Sequence, residues 1–220
     1  MTTPIIQSTT RAALTMAAAV AVLAGMVLNG PAPRAAEDDL KEAIFAGGCF
    51  WCVEADFDKV PGVVETISGY TGGHVKDPSY EQVSAGGTGH YESVKIVYDP
   101  DTVTYEDLLY TFWRSVDPTD PGGQFCDRGN SYRTAIFAVT ERQEKLAKAS
   151  KQKLQESGVL DSKIVTPVLS AGPFYRAEGY HQNYYKKNPI KYNYYRWRCG
   201  RDDRVEELWG DEAHAGMAGH

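Results

Sequence analysis

The stretch KEAIFAGGCFWCVEADFDKVPG, residues 41–62, decides how the chain is built. Its first six residues read as a strand that stops at Gly47-Gly48, where a tight turn is expected. From residue 49 to 60 the apolar positions Phe50, Val53, Phe57 and Val60 recur at helical spacing, until Pro61-Gly62 ends the element. Cys49 therefore stands where a strand gives way to a helix. Unpaired N–H groups and the positive end of the macrodipole favour a thiolate at such a place, and the thiolate is the reactive form. Cys52 follows three residues later, with the bulky pair Phe50-Trp51 between the two thiols.

Working outward, residues 63–70 read as a second strand, closed by the turn Thr71-Gly72-Gly73. A polar loop leads to a third strand at 90–98, where Val94, Ile96 and Tyr98 alternate. Residues 102–116 carry Tyr105, Leu108, Leu109, Phe112 and Trp113 on one helical stripe. Beyond a glycine-rich loop come a fourth strand at 134–139, a charged helix at 141–157 with Leu146 and Leu154 inward, and a last strand at 164–169. Seven of the fourteen tyrosines then crowd into residues 175–195, which reads as a long irregular C-terminal tail. The order β-α-β, loop, β-α-β predicts an α+β fold: a split βαβ (ferredoxin-like) two-layer sandwich, with helices on one face of a mixed, mostly antiparallel sheet.

With 220 residues, 42% of them hydrophobic, one domain with a substantial core is the default. The first 36 residues differ from the rest. Arg11 precedes an uncharged run from Ala12 to Leu28, then come Pro31, Pro33 and the small residues Ala35 and Ala36. Residues 1–36 read as a signal peptide or N-terminal anchor and 37–220 as the catalytic domain, exported to the periplasm or anchored facing it. Losing residues 1–36 removes Arg11 and Arg34 but no acid, so the net charge moves from −6 to −8. That balance argues against a nucleic-acid role. A monomer is the simplest assembly.

Four cysteines in an exported chain ordinarily mean two structural disulfides. A domain of this size can bury its core without staples, which leaves the thiols free for chemistry. Zinc is not expected, because Cys49-x-x-Cys52 has no second close pair: Cys126 and Cys199 lie 73 residues apart. Thioredoxin-type pairs commonly hold small residues between the thiols, whereas Phe50 and Trp51 read as a wall for an apolar substrate group. Three polar clusters at loop–strand junctions add what a nucleophile needs: one ends in Tyr80, one carries Glu92, and one runs from Asp127 to Tyr132. A desolvated Glu92 stays protonated and can act as an acid. Among the histidines, His90 frames the pocket, His181 seats the tail, and His74, His214 and His220 read as exposed.

Taken together these residues resemble the peptide methionine sulfoxide reductase A family. The resemblance is carried by Gly48-Cys49-Phe50-Trp51, Val53-Glu54, residues 69–73 (GYTGG), Pro78-Ser79-Tyr80, Thr88-Gly89-His90 with Glu92, Tyr98-Asp99-Pro100, Asp117-Pro118, Asp127 with Gly129, Tyr132-Arg133, His181-Gln182 and Asn188-Pro189. It spans residues 43–189. It implies that Cys49 attacks the sulfoxide sulfur, that Phe50 and Trp51 hold the methyl group, and that Glu92 protonates the oxygen with Tyr80 and Tyr132 as hydrogen-bonding partners. Asp127 helps organise the site. Methionine leaves and Cys49 remains as a sulfenic acid, which a second thiol converts to a disulfide for an external dithiol reductant, such as a thioredoxin-like protein, to open. No cofactor is implied.

Position 52 is often Gly in the family and position 126 is not usually Cys, so the resolving thiol stays open. Cys199 ranks first, since its tail can fold over the site; Cys52 ranks second, since a Cys49–Cys52 ring is tight; Cys126 is third and could relay to Cys199. Two other readings remain: a general thiol–disulfide oxidoreductase using Cys49-Cys52, and a secreted binding domain with two static bridges.

Overall fold

Strand β1, Lys41–Gly47, is the spine of the molecule. Ala43 and Phe45 turn to one face and meet Phe57, Tyr105 and Phe112, with ring centroids 5.5, 6.1 and 4.9 Å from Phe45. Ile44 and Ala46 turn to the other face and pack with Tyr91, Ala135 and Phe137. The computed structural model describes residues 39–219 together with Met1 and Thr2, so the segment expected to direct export lies, but for those two residues, outside the described residues. Among the described residues no helix is long and apolar enough to cross a membrane.

From β1 the chain runs through helix α1 (Phe50–Phe57), β2 (Val63–Thr71), α2 (Tyr80–Ala85), β3 (Tyr91–Tyr98), α3 (Tyr105–Trp113), the short strands β4 (Gly123–Gln124) and β5 (Asp127–Arg128), then β6 (Thr134–Ala138) and α4 (Glu141–Glu156). Strands β7 (Val168–Ser170) and β8 (Tyr175–Arg176) lie at the sheet edges. The six-stranded sheet has the order β7-β6-β1-β3-β2-β8. Its neighbours are antiparallel except β6 and β7, which are parallel. The α+β class expected from the sequence therefore holds, and so does the mixed, mostly antiparallel sheet.

The expected irregular tail does not. Helices α5 (Tyr184–Lys187), α6 (Pro189–Cys199) and α7 (Arg201–Trp209) fill it. Apolar periodicity is a poor guide there because α6 buries an aromatic and an arginine, Tyr192 and Arg196, one turn apart. Arg196 donates to Asp56 of α1 at 2.6 Å, to Asp202 at 2.6 Å and to the Tyr192 hydroxyl at 2.9 Å. Pro189 opens α6 at a position where its missing N–H costs nothing. Gly200 closes it at φ +67°, a left-handed cap that lets α7 begin at once.

Two smaller expectations also change. The polar loop before β3 contains α2, which Ser79 caps in a box with Gln82. His214 is buried, with Nε2 3.2 Å from Asp202.

Candidate active site

Gly48 has φ +87°, and a Cβ placed on it would lie 2.6 Å from the Cβ of Gln124. Only glycine fits that approach. The turn delivers Cys49 as the N-cap of α1, with its carbonyl accepting from the N–H groups of Cys52 and Val53. One face of α1 packs into the main core through Phe50, Val53 and Phe57; the other carries Cys49, Cys52 and Ala55 against Tyr192. Both thiols are buried and free.

Sheet register supplies the acid. Glu92 on β3 pairs with Tyr70 on β2, and its Oε2 accepts from the Phe50 N–H at 3.0 Å. Burial pushes its carboxyl up to about 8, against the opposing pull of that N–H. A carboxyl held that high keeps its proton at neutral pH. The hydroxyls of Tyr80, at the start of α2, and Tyr132, at the end of a single 3-10 turn over Asn130–Tyr132, hydrogen-bond to each other beside it. Burial and then the Glu92 charge raise both phenols.

Expected ionisation of Cys49 is not what the geometry favours in the resting protein. Burial pushes this thiol well up, and Cys52, Glu92 and Asp127 add to the shift. The first-turn N–H that would have stabilised a thiolate is spent on Glu92. Cys52 moves the other way, lowered first by a hydrogen bond from Cys49 and then by Arg201 and Arg196. Arg201, buried, donates to the Gly47 carbonyl at 3.0 Å and the Ser115 carbonyl at 2.8 Å, and its Nε lies 3.6 Å from Asp56.

Phe50 and Trp51 are held in an aromatic frame. Trp51 stacks on Tyr184 with centroids 3.7 Å apart and planes 6° from parallel, and its Nε1 donates to His181 Nδ1 at 3.0 Å. The same imidazole lies 4.9 Å from the Phe50 ring and 4.5 Å from Tyr80. Glu178 ties Tyr80 back by accepting its backbone N–H and the Tyr70 hydroxyl, both at 2.9 Å. His181, Glu178, Arg196 and Arg201 are site residues that the sequence reading missed or undervalued. A histidine and a glutamate flanking Gly179-Tyr180 were the available signal; nothing local distinguishes the two arginines.

Cys126 and Cys199 form a disulfide with Cα atoms 4.9 Å apart. Asp127 stands beside it: its Oδ2 accepts the Tyr195 hydroxyl and lies 3.8 Å from Cys199 Sγ, and burial raises its carboxyl. The fold thus gathers every predicted site residue at one end of α1, but it bonds Cys199 to Cys126 instead of leaving it free beside Cys49.

Residues 41–213 match the family model described as peptide methionine sulfoxide reductase. The chain belongs to the peptide methionine sulfoxide reductase A family. Peptide methionine sulfoxide reductase MsrA of Bacillus subtilis (strain 168) is 55% identical over 168 residues, covering 76% of this chain and 95% of that protein. MsrA 2 of Rhizobium meliloti (strain 1021) is 56% identical over 185 residues, covering 84% and 90%. Among solved structures, reduced Mxr1 from Saccharomyces cerevisiae superposes with a TM-score of 0.65 at 32% identity, over 71% of this chain and 90% of that one. Methionine sulfoxide reductase A of Corynebacterium diphtheriae gives 0.62 at 34% identity, over 69% and 76%. In this reductase A chain, residues of β1, α1, α2, β3 and the 3-10 turn all meet at Cys49.

Proposed function

We propose that this protein is a peptide-methionine (S)-S-oxide reductase, returning the S epimer of methionine sulfoxide, free or in proteins, to methionine with thiols as the reductant. One observation carries the reading: a buried carboxyl, Glu92, raised by burial, accepts the N–H of the residue next to a buried cysteine, beside paired phenols and an aromatic wall. Phe50 and Trp51 hold the methyl group. Glu92 gives its proton to the sulfoxide oxygen, Tyr80 and Tyr132 hydrogen-bond to that oxygen, and the Cys49 sulfur attacks the sulfur so polarised. The hydroxyl passes to Cys49, methionine leaves, and the Cys49 proton restores Glu92.

Cys52 is the first resolving thiol in this reading, ahead of Cys199. It hydrogen-bonds to Cys49 and has the lowered pKa of the pair, while Cys199 is engaged with Cys126. Its sulfur bonds to Cys49 and water departs. Thiol–disulfide exchange then moves the oxidation outward: Cys126 and Cys199 become a disulfide as Cys49 and Cys52 become thiols again. Cys126 is exposed, so an external thioredoxin-like dithiol can open that bridge.

The runner-up, general disulfide exchange by Cys49-Cys52, is less favoured because both cysteines are buried, with residue exposures of 7% and 2%, whereas a general exchanger presents a thiol at its surface. Racemic methionine sulfoxide peptide decides: about half should be consumed, all of one hand. Consumption of neither hand, with reduction of insulin disulfides, would sink the proposal.

Export to the periplasm is supported by the uncharged run after Arg11; removal near Ala36, or retention as an anchor, is read from the mass of the purified native chain. The split βαβ class is supported by the central order β6-β1-β3-β2 with antiparallel neighbours.

A further inference from the structure

Along the chain Cys126 and Cys199 lie 73 residues apart, too far to read as a metal-binding pair. In space that distance disappears. Cys126 Sγ, Cys199 Sγ and a carboxylate oxygen of Asp127 all lie within 4.8 Å of one another, and they are the one such group of potential ligands among the described residues. The cysteines sit on two separately anchored pieces of backbone. Cys126 lies in the turn of the β4–β5 hairpin, where Gly123 pairs with Arg128 and Gln124 with Asp127. Gln124 pins that hairpin to Asp117, accepting its N–H at 2.9 Å and donating to its carbonyl at 2.7 Å. Cys199 ends α6, which Arg196 holds to Asp56. Opening the bridge therefore leaves two thiols still facing each other, next to a carboxylate that the Tyr195 hydroxyl orients.

We propose that the reduced form of this cluster is a binding site for Zn²⁺ or a similar thiophilic divalent cation, with the Cys126 and Cys199 thiolates and the Asp127 carboxylate as ligands and a fourth position open to solvent. Two soft thiolates and one carboxylate suit zinc and its neighbours. Binding releases the two thiol protons, and the cation offsets the repulsion among three negative groups. Cys126 is exposed and its partners half-buried, so the ion has an entry path without unfolding. No metal can be held this way while the sulfurs are bonded to each other, so the site opens only on reduction. A bound ion would withhold both sulfurs from exchange and stop recycling, a consequence that rests on the proposed reaction; the binding does not.

The test uses the full chain, reduced, freed of reductant without oxygen and titrated with Co²⁺, whose thiolate charge-transfer absorption reports sulfur ligation. One equivalent should bind the reduced protein and none the oxidised. Cys126→Ser and Cys199→Ser should each abolish the absorption, Asp127→Asn should weaken binding by about tenfold or more, and Cys52→Ser should leave it intact. Zn²⁺ should displace the cobalt and block multiple turnover while sparing the first methionine formed per prereduced enzyme. Absorption that survives Cys126→Ser, or is lost in Cys52→Ser, would overturn the site, as would equal binding by oxidised protein. Unchanged affinity in Asp127→Asn would remove the carboxylate ligand. A first turnover blocked by zinc would put the metal on Cys49 instead. If no sulfoxide is reduced at all, the cobalt titration still reads out the site.

Discussion

Two pairs of cysteines share one end of this molecule and are built in opposite ways. Cys49 and Cys52 lie one helical turn apart, buried, with a protonated Glu92 and a wall of rings around them. Cys126 and Cys199 come from distant parts of the chain, meet at the surface and are bonded. The inner pair is shielded from other oxidants and reductants and can do selective chemistry; the outer pair is reachable and can exchange electrons with another protein. Asp127 joins the two, touching Cys199 and contributing to the field at Cys49.

The largest effect that could break this division is at the nucleophile. Cys49→Ser should lower methionine formation by roughly 10⁴-fold or more in both single and multiple turnover. With one equivalent of sulfoxide per prereduced enzyme, Cys126→Ser should still form one methionine and reduce only the steady state. Equal losses in single turnover would erase the distinction between the pairs.

Next is the acid. Glu92→Gln should cost about 10²–10⁴-fold in kcat/KM. Since the Glu92 carboxyl is pushed up to about 8, wild-type kcat/KM should stay level below that pH and fall above it as the proton is lost. Glu92→Gln should lose that descending limb; a limb unchanged in the variant would assign the titration to another group.

Packing around the substrate comes third. Trp51→Ala removes the ring that stacks on Tyr184 and donates to His181, and kcat/KM should fall by about 10–200-fold, the range for losing an apolar pocket contact. A fall confined to the steady state, with normal single-turnover rates, would move Trp51 from substrate binding to recycling.

The smallest effect is on stability, and its sign is fixed by linkage. The folded protein holds the Glu92 proton more tightly than an ordinary carboxylate with a value of 4.5 would, so its stabilising contribution is complete below about pH 4.5 and lost as pH rises to about 8. Denaturant unfolding should therefore show Glu92→Gln gaining on the wild type with rising pH, by up to about 5 kcal/mol at pH 9 relative to pH 4. No gain would mean that the carboxyl is not desolvated.

Much of this was legible in residues 41–62, because a strand, a glycine turn and a helix each leave a local signature there. Glu92, Tyr80 and Tyr132 were legible as chemistry but not as geometry, since the β2–β3 register that sets Glu92 under the Phe50 N–H is non-local. The tail was misread because α6 and α7 are fastened by Arg196 and Arg201 on buried Asp56, a network of charges in which apolar periodicity is weak. Helix-terminus reasoning gave the wrong ionisation for Cys49, because burial and acidic neighbours outweigh a dipole whose first N–H is already taken. The Cys126–Cys199 contact, spanning 73 residues, leaves no local trace.

The direct test of an inner pair feeding an outer pair is to map disulfides over time. Fully reduced protein is mixed with one equivalent of methionine S-sulfoxide, quenched with an alkylating agent at successive intervals and digested for mass spectrometry. A Cys49–Cys52 bridge should form first and then decay as Cys126–Cys199 grows, with one methionine per bridge. A Cys49–Cys199 bridge as the first product, with Cys52 alkylated throughout, would contradict this order.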